Sequence, residues 1–118
     1  MSTALPTISP RTRVAWGCCT PLVEPSIDAA AAADLAKVAK AIGDPVRLRI
    51  VDTVRQAAPE AVCQCEITPL FEISQPAVFK HLKVLVEAGV LAVERRGAWA
   101  YYFVPEHSSL EVLTAWLT

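Results

Sequence analysis

The sequence predicts an α+β domain of about five helices and one β-hairpin, and three observations carry that expectation. Apolar residues recur at helical spacing over residues 29 to 57 and 76 to 88; proline and glycine punctuate those runs; and an alternating aromatic stretch follows Gly89. In chain order, a helix that opens with small polar residues leads into a two-stranded ribbon with arginines near its tip. That is the layout of a winged helix-turn-helix, whose second helix enters a DNA major groove while the hairpin lies along the phosphates.

Residues 1 to 25 hold Pro6, Pro10, Pro21 and Pro25, little periodicity and the pair Cys18-Cys19, which reads as a flexible N-terminal arm. Residues 26 to 118 make the DNA-binding and dimerisation domain. Ser26 or Asp28 caps a helix over residues 29 to 42, with Leu35, Val38, Ala39 and Ile42 on one face and Gly43 ending it. Asp44 caps and Pro45 opens a second helix, over residues 45 to 57, whose Val46, Leu48, Ile50, Val51 and Val54 cover more than one face and mark it as central to the core.

Residues 62 to 71 predict a short third helix with Pro69 in its first turn, because a deeper proline would break the backbone ladder. Cys63 and Cys65 then lie at or just before its N-terminus, where N–H groups and the helix dipole favour thiolate. Ser74 caps the next helix, Pro76 falls in its first turn, and Val78, Leu82, Leu85 and Val86 share a face away from Gln75, Lys80, Lys83 and Glu87. Gly89 stops it. Glu94-Arg95-Arg96-Gly97 and the strand Trp99 to Val104 form the hairpin, and Leu110, Leu113 and Leu117 stripe a closing helix that pairs with the first as a candidate dimer contact.

The chain has 118 residues, 53% hydrophobic and only 19% charged, so part of its apolar surface is expected to bury against a second copy in a symmetric homodimer. A net charge of −1 gives no global nucleic-acid signal. The local balance differs: Lys80, Lys83, Arg95 and Arg96 face only Glu87 and Glu94 between residues 74 and 96. No apolar run approaches the roughly 18 residues of a membrane span and no signal peptide opens the chain, so a cytoplasmic protein with four reduced cysteines is expected. A phosphate loop and a catalytic pair of carboxylates are both absent, which argues against an enzyme and against an organic cofactor.

The runs Gly43 to Ile50, Cys63-Gln64-Cys65-Glu66-Ile67, Ser74 to Leu85, and Glu94-Arg95-Arg96-Gly97 with Tyr101-Tyr102 resemble the ArsR/SmtB family of metal-responsive transcriptional repressors. The resemblance covers about residues 27 to 117, in the family's order of motifs. It implies a homodimer that sits on double-stranded operator DNA and leaves it when metal binds. The Cys-Xaa-Cys resembles the arsenite-sensing members, and Cys18-Cys19 a subset whose N-terminus supplies thiols. The chain departs from the family at Ala77, Phe79 and Lys80, where Thr, Ser and His are frequent, so the hydroxyl contacts usual at two of those positions are missing and Lys80 becomes a candidate phosphate contact.

Thiolates select thiophilic ions whatever the family. Arsenite condenses with three thiols into a pyramidal site, whereas tetrahedral Zn(II) or Cd(II) would use four, and Cys18, Cys19, Cys63 and Cys65 can offer either number. Residues two apart on a regular helix point about 200° from each other, so Cys63 and Cys65 converge on one ion only if they lie in irregular chain or if binding unwinds the helix start. The expected inducer is arsenite or antimonite; Hg, Cd or Pb, and a thiol redox switch, are the alternatives. The expected DNA-binding set is Ser74, Gln75, Ala77, Lys80, His81 and Lys83 on the recognition helix, with Arg95 and Arg96 on the wing.

Overall fold

The computed structural model describes residues 22–118; residues 1–21 of the expected arm, with Cys18 and Cys19, lie outside the described residues. The elements run α1 (Ala29–Ile42), α2 (Pro45–Ala57), β1 (Val62–Cys63), α3 (Gln64–Ile67), α4 (Gln75–Glu87), β2 (Ala92–Arg96), β3 (Trp99–Phe103) and α5 (Ser109–Leu117).

The longer helices begin where a side-chain oxygen accepts an otherwise orphaned N–H: Asp28 from Ala31 at 2.8 Å, Asp44 from Val46 and Arg47 at 3.0 and 3.1 Å, Ser74 from Ala77 at 3.3 Å, and Ser108 from Leu110 at 3.2 Å. The cap of α1 is therefore Asp28 and not Ser26. The Arg47 N–H bond, helped by the Arg47 charge, holds the Asp44 carboxyl below its ordinary pKa.

Two glycines end helices for different reasons. Gly89 has φ +78°, the left-handed conformation that lets the chain leave α4. Gly43 has φ −79°, which any residue tolerates; an added Cβ there would lie 3.0 Å from the Ala39 carbonyl oxygen.

The core joins Leu35, Val38 and Ala41 of α1, Ile50, Val51 and Val54 of α2, Val78, Leu82 and Leu85 of α4, with Tyr102 and Leu113. Ala39 and Leu48 were expected inside and are exposed, Leu48 by 54%. At about 100° per residue, Ala39 lies roughly 100° round α1 from its buried stripe and Leu48 roughly 115° round α2 from its own. Leu117 of the closing stripe is also exposed, and that helix runs from Ser109 to Leu117. Its start is anchored: the hydroxyls of the cap Ser108 and the first residue Ser109 donate to the Val90 and Ala88 carbonyls, each at 2.8 Å, tying α5 to the end of α4.

The expected hairpin forms, with Gly97 at φ +63° in its turn, but it belongs to an antiparallel sheet of order β1-β3-β2. Val62 and Val93 flank Tyr102, whose burial raises its phenol pKa. The third helix is shorter than expected. An α-helix continued through Pro69 would need that residue's N–H for the Cys65 carbonyl, and proline has none, so α3 stops at Ile67 and a 3₁₀ turn, Thr68–Leu70, takes Pro69 into its own first turn.

Candidate nucleic-acid interface and thiol site

With Val78, Leu82 and Leu85 fully buried, α4 turns Gln75, Pro76, Phe79, Lys80 and Lys83 outward. Ser74 closes the helix start through its hydroxyl. Ala77 and His81, grouped by sequence with the outward residues, are half-buried on a separate stripe, and the His81 ring lies against α2. Arg47 Nη1 donates to His81 Nδ1 at 3.3 Å, in the tautomer that leaves Nδ1 free to accept, and Asp44 Oδ2 lies 4.0 Å from the same nitrogen.

Arg47 also donates from Nε to the Ala41 carbonyl and from Nη2 to the Lys40 carbonyl at 3.2 Å. One guanidinium thus caps the end of α1, sits in the first turn of α2 and braces α4. The sequence alone reads Arg47 as solvated or salt-bridged, because its acceptors are backbone carbonyls that no side-chain pattern marks. Arg47→Ala is expected to lower the unfolding free energy by about 2 kcal/mol in chemical denaturation, the range for bonds made by a charged donor.

On the wing, successive side chains alternate between faces. Arg96 shares a face with Glu94, which it meets at 3.4 Å, and lies 6.0 Å from the Tyr101 ring centre; Arg95 points to the opposite face. Both are exposed.

Cys63 is the last residue of β1 and the N-cap of α3, at φ −71° and ψ 144°. Its Sγ accepts the Cys65 N–H at 3.3 Å, and its own N–H donates to Glu66 Oε1 at 3.0 Å. This is a capping box with sulfur in place of the usual hydroxyl. Because Cys63 is extended and only Cys65 is helical, the 200° separation of a regular turn does not apply and the irregular-chain alternative holds. Cys63 is 4% exposed and Cys65 is open to solvent. The expected helix-end stabilisation of thiolate is overturned for Cys65. A hydrogen bond with the Cys63 side chain, then partial loss of water around the sulfur, then electrostatic coupling to Cys63 and Glu66 push its pKa up.

The segment that carries the thiols is joined to both outward-facing elements. Cys63 pairs with Tyr101 of the wing, and Gln64, between the two cysteines, donates from Nε2 to the carbonyl of Gln75, the first residue of α4, at 3.3 Å. Gln64 carries no sequence signal for this role, since its partner is a main-chain oxygen eleven residues away. Among the described residues no three His, Cys, Asp or Glu side chains group as a metal site; Cys63 and Cys65 are two candidate donors there.

A capped outward helix, a β-ribbon beside it and a helical scaffold beneath define a winged helix-turn-helix, the architecture of a DNA-binding regulator. The chain belongs to the arsR family of bacterial regulatory proteins, which it matches over residues 44–93. It is 42% identical over 65 residues to the arsenic resistance transcriptional regulator ArsR1 of Pseudomonas putida, covering 55% of this chain and 49% of that protein. With the arsenical resistance operon repressor of Bacillus subtilis it shares 36% identity over 63 residues, 53% of this chain and 58% of that one. The matched part thus spans about half the length of these curated relatives. Among solved structures, the homodimeric winged helix-turn-helix DNA-binding domain of Mb0332 from Mycobacterium bovis superposes with a TM-score of 0.63 at 20% identity, covering 82% of this chain and 87% of that one. At that identity the likeness is one of fold.

Proposed function

We propose that this protein is a dimeric transcriptional repressor that holds operator DNA through α4 and the β2–β3 wing and releases it when arsenite or antimonite binds its cysteine thiolates. The observation that carries the reading is the placement of the Cys63–Cys65 pair, one residue of which is registered with the wing while its neighbour Gln64 is bonded to the first residue of α4. A ligand that pulls the two thiols together acts on both DNA-facing elements at once. Coupling of about 1–3 kcal/mol, five- to about 150-fold in affinity, suffices for release.

The two thiols fall one short of the three that arsenite condenses with, and Cys18 or Cys19, from the same or the partner subunit, completes the set. Gln75, Lys80 and Lys83 face the groove, Ser74 fixes the helix start, and Arg95 and Arg96 meet phosphates. His81 positions α4 on α2 instead of touching DNA. The dimer forms through α1 and α5, where Val112, Trp116 and Leu117 expose 60, 54 and 67% of their surface.

The test is DNA affinity by fluorescence anisotropy on reduced protein, titrated with arsenite, antimonite, Cd(II), Hg(II) and Pb(II). Release by arsenite or antimonite at the lowest concentrations supports the reading; release by a divalent ion alone reassigns the inducer. Loss of affinity on mild oxidation, with no response to any ion, replaces the metalloid sensor with a thiol redox switch.

The pH dependence separates the ligands further. Neutral arsenious acid and three thiols give three As–S bonds and three waters, with no net proton, so its half-release concentration should stay flat from about pH 6 to 8. Cd(II) must displace a proton from each thiol, so its affinity should rise with pH; the raised pKa of Cys65 carries that rise to higher pH than an ordinary cysteine would.

A further inference from the structure

Phe79 stands on α4 with 40% of its surface exposed, next to Lys80, one turn before Lys83 and one turn after Gln75. It is not a core residue: Val78, Leu82 and Leu85 make the buried stripe, and Phe79 lies roughly at a right angle to their mean direction round the helix. A large apolar ring among outward cations calls for a partner that is polyanionic overall and yet presents hydrocarbon at one point. The major-groove edge of duplex DNA has that chemistry. Among the donors and acceptors that its base pairs show, the 5-methyl of thymine is the one alkyl group.

The ring has no hydrogen-bonding atom, so it cannot read guanine, cytosine or adenine by their polar edges. Buried against a methyl group it loses nothing; buried against an amino group or a carbonyl it strips water from that group and returns no bond. Position agrees with chemistry. Phe79 is in the N-terminal half of α4, the part that approaches base edges in helix-turn-helix docking. Gln75, one turn earlier on the same side, carries the amide that suits adenine.

We infer that Phe79 is a specificity-determining residue that packs on the 5-methyl group of a thymine in each half-site of the operator. The inference rests on the reading of the chain as a DNA-binding repressor and narrows what that DNA must contain.

The test uses the full reduced chain and duplexes selected by it from a pool with a randomised core. Affinity is measured on the selected duplex and on copies in which each thymine in turn is deoxyuridine, which keeps every hydrogen bond and lacks only the methyl. The expected result is one thymine per half-site at which deoxyuridine weakens binding about fourfold, the effect of one buried methyl, with no such loss for Phe79→Ala. Phe79→Leu, which keeps an apolar contact, should retain part of the sensitivity and guards against a general defect in the alanine variant.

A native protein indifferent to every thymine methyl overturns the inference while leaving the repressor reading intact. So does a Phe79→Ala variant as sensitive as the native chain, which would assign the methyl to another side chain. If the pool yields no preferred duplex and binding has no salt dependence, the DNA-binding reading itself fails and the inference goes with it.

Discussion

Cys63→Ser is expected to abolish release by arsenite while DNA affinity of the ligand-free protein stays close to native. Serine is among the best N-cap residues, so the hydroxyl can take over the Cys65 N–H that Sγ now accepts, and the change in volume at this 4%-exposed position is small. Metalloid binding is lost, because an alkoxide–arsenic bond exchanges with water and a thiolate–arsenic bond persists. The response, five- to about 150-fold in the native chain, should fall to none. Cys65→Ser should do the same. Gln64→Ala separates binding from signalling: both thiols remain, so arsenite still binds, as read by ultraviolet As–S absorption, while the loss of the bond to the Gln75 carbonyl shrinks the change in DNA affinity. An unaltered response in Gln64→Ala would route the signal through the wing, by way of the Cys63–Tyr101 pairing.

Sequence and structure agree most closely where the signal is local. Asp44-Pro45 and Ser74-Gln75-Pro76 place the starts of α2 and α4 at the observed residues, because a cap and a first-turn proline act on backbone groups within three positions of themselves. Agreement fades where a partner is distant in sequence. The two-residue strand β1 exists through pairing with β3 some forty residues on, and no local pattern could announce it. Arg47 bonds carbonyls of the preceding helix, and His81 turns inward because Arg47 and Asp44 wait there. At the candidate site the thiol spacing was legible, and so was the need for irregular chain around it. The raised pKa of Cys65 was not, since it depends on which way the Cys63 sulfur points.

Replacing Lys80, Lys83, Arg95 and Arg96 together by glutamine is expected to weaken DNA binding by several orders of magnitude and to flatten its dependence on salt. Each phosphate contact releases counterions, and a dimer carries two copies of every residue, so up to about eight contacts and a slope change of up to about seven are at stake. Single changes should not be equal. Arg96 is held by Glu94 at 3.4 Å, and its charge is partly balanced before any DNA arrives. Arg95, on the other face of β2, has no such neighbour on its strand, so Arg95→Gln should move the slope more than Arg96→Gln. Lys37→Gln and Lys40→Gln, on the exposed side of α1, supply the control. If they change the slope as much as Lys80→Gln and Lys83→Gln do, DNA responds to total charge and not to a docked α4. A slope that moves with the α4 and wing residues alone fixes the face on which the duplex lies, and with it the side of the molecule that the Cys63–Cys65 pair must disturb for release.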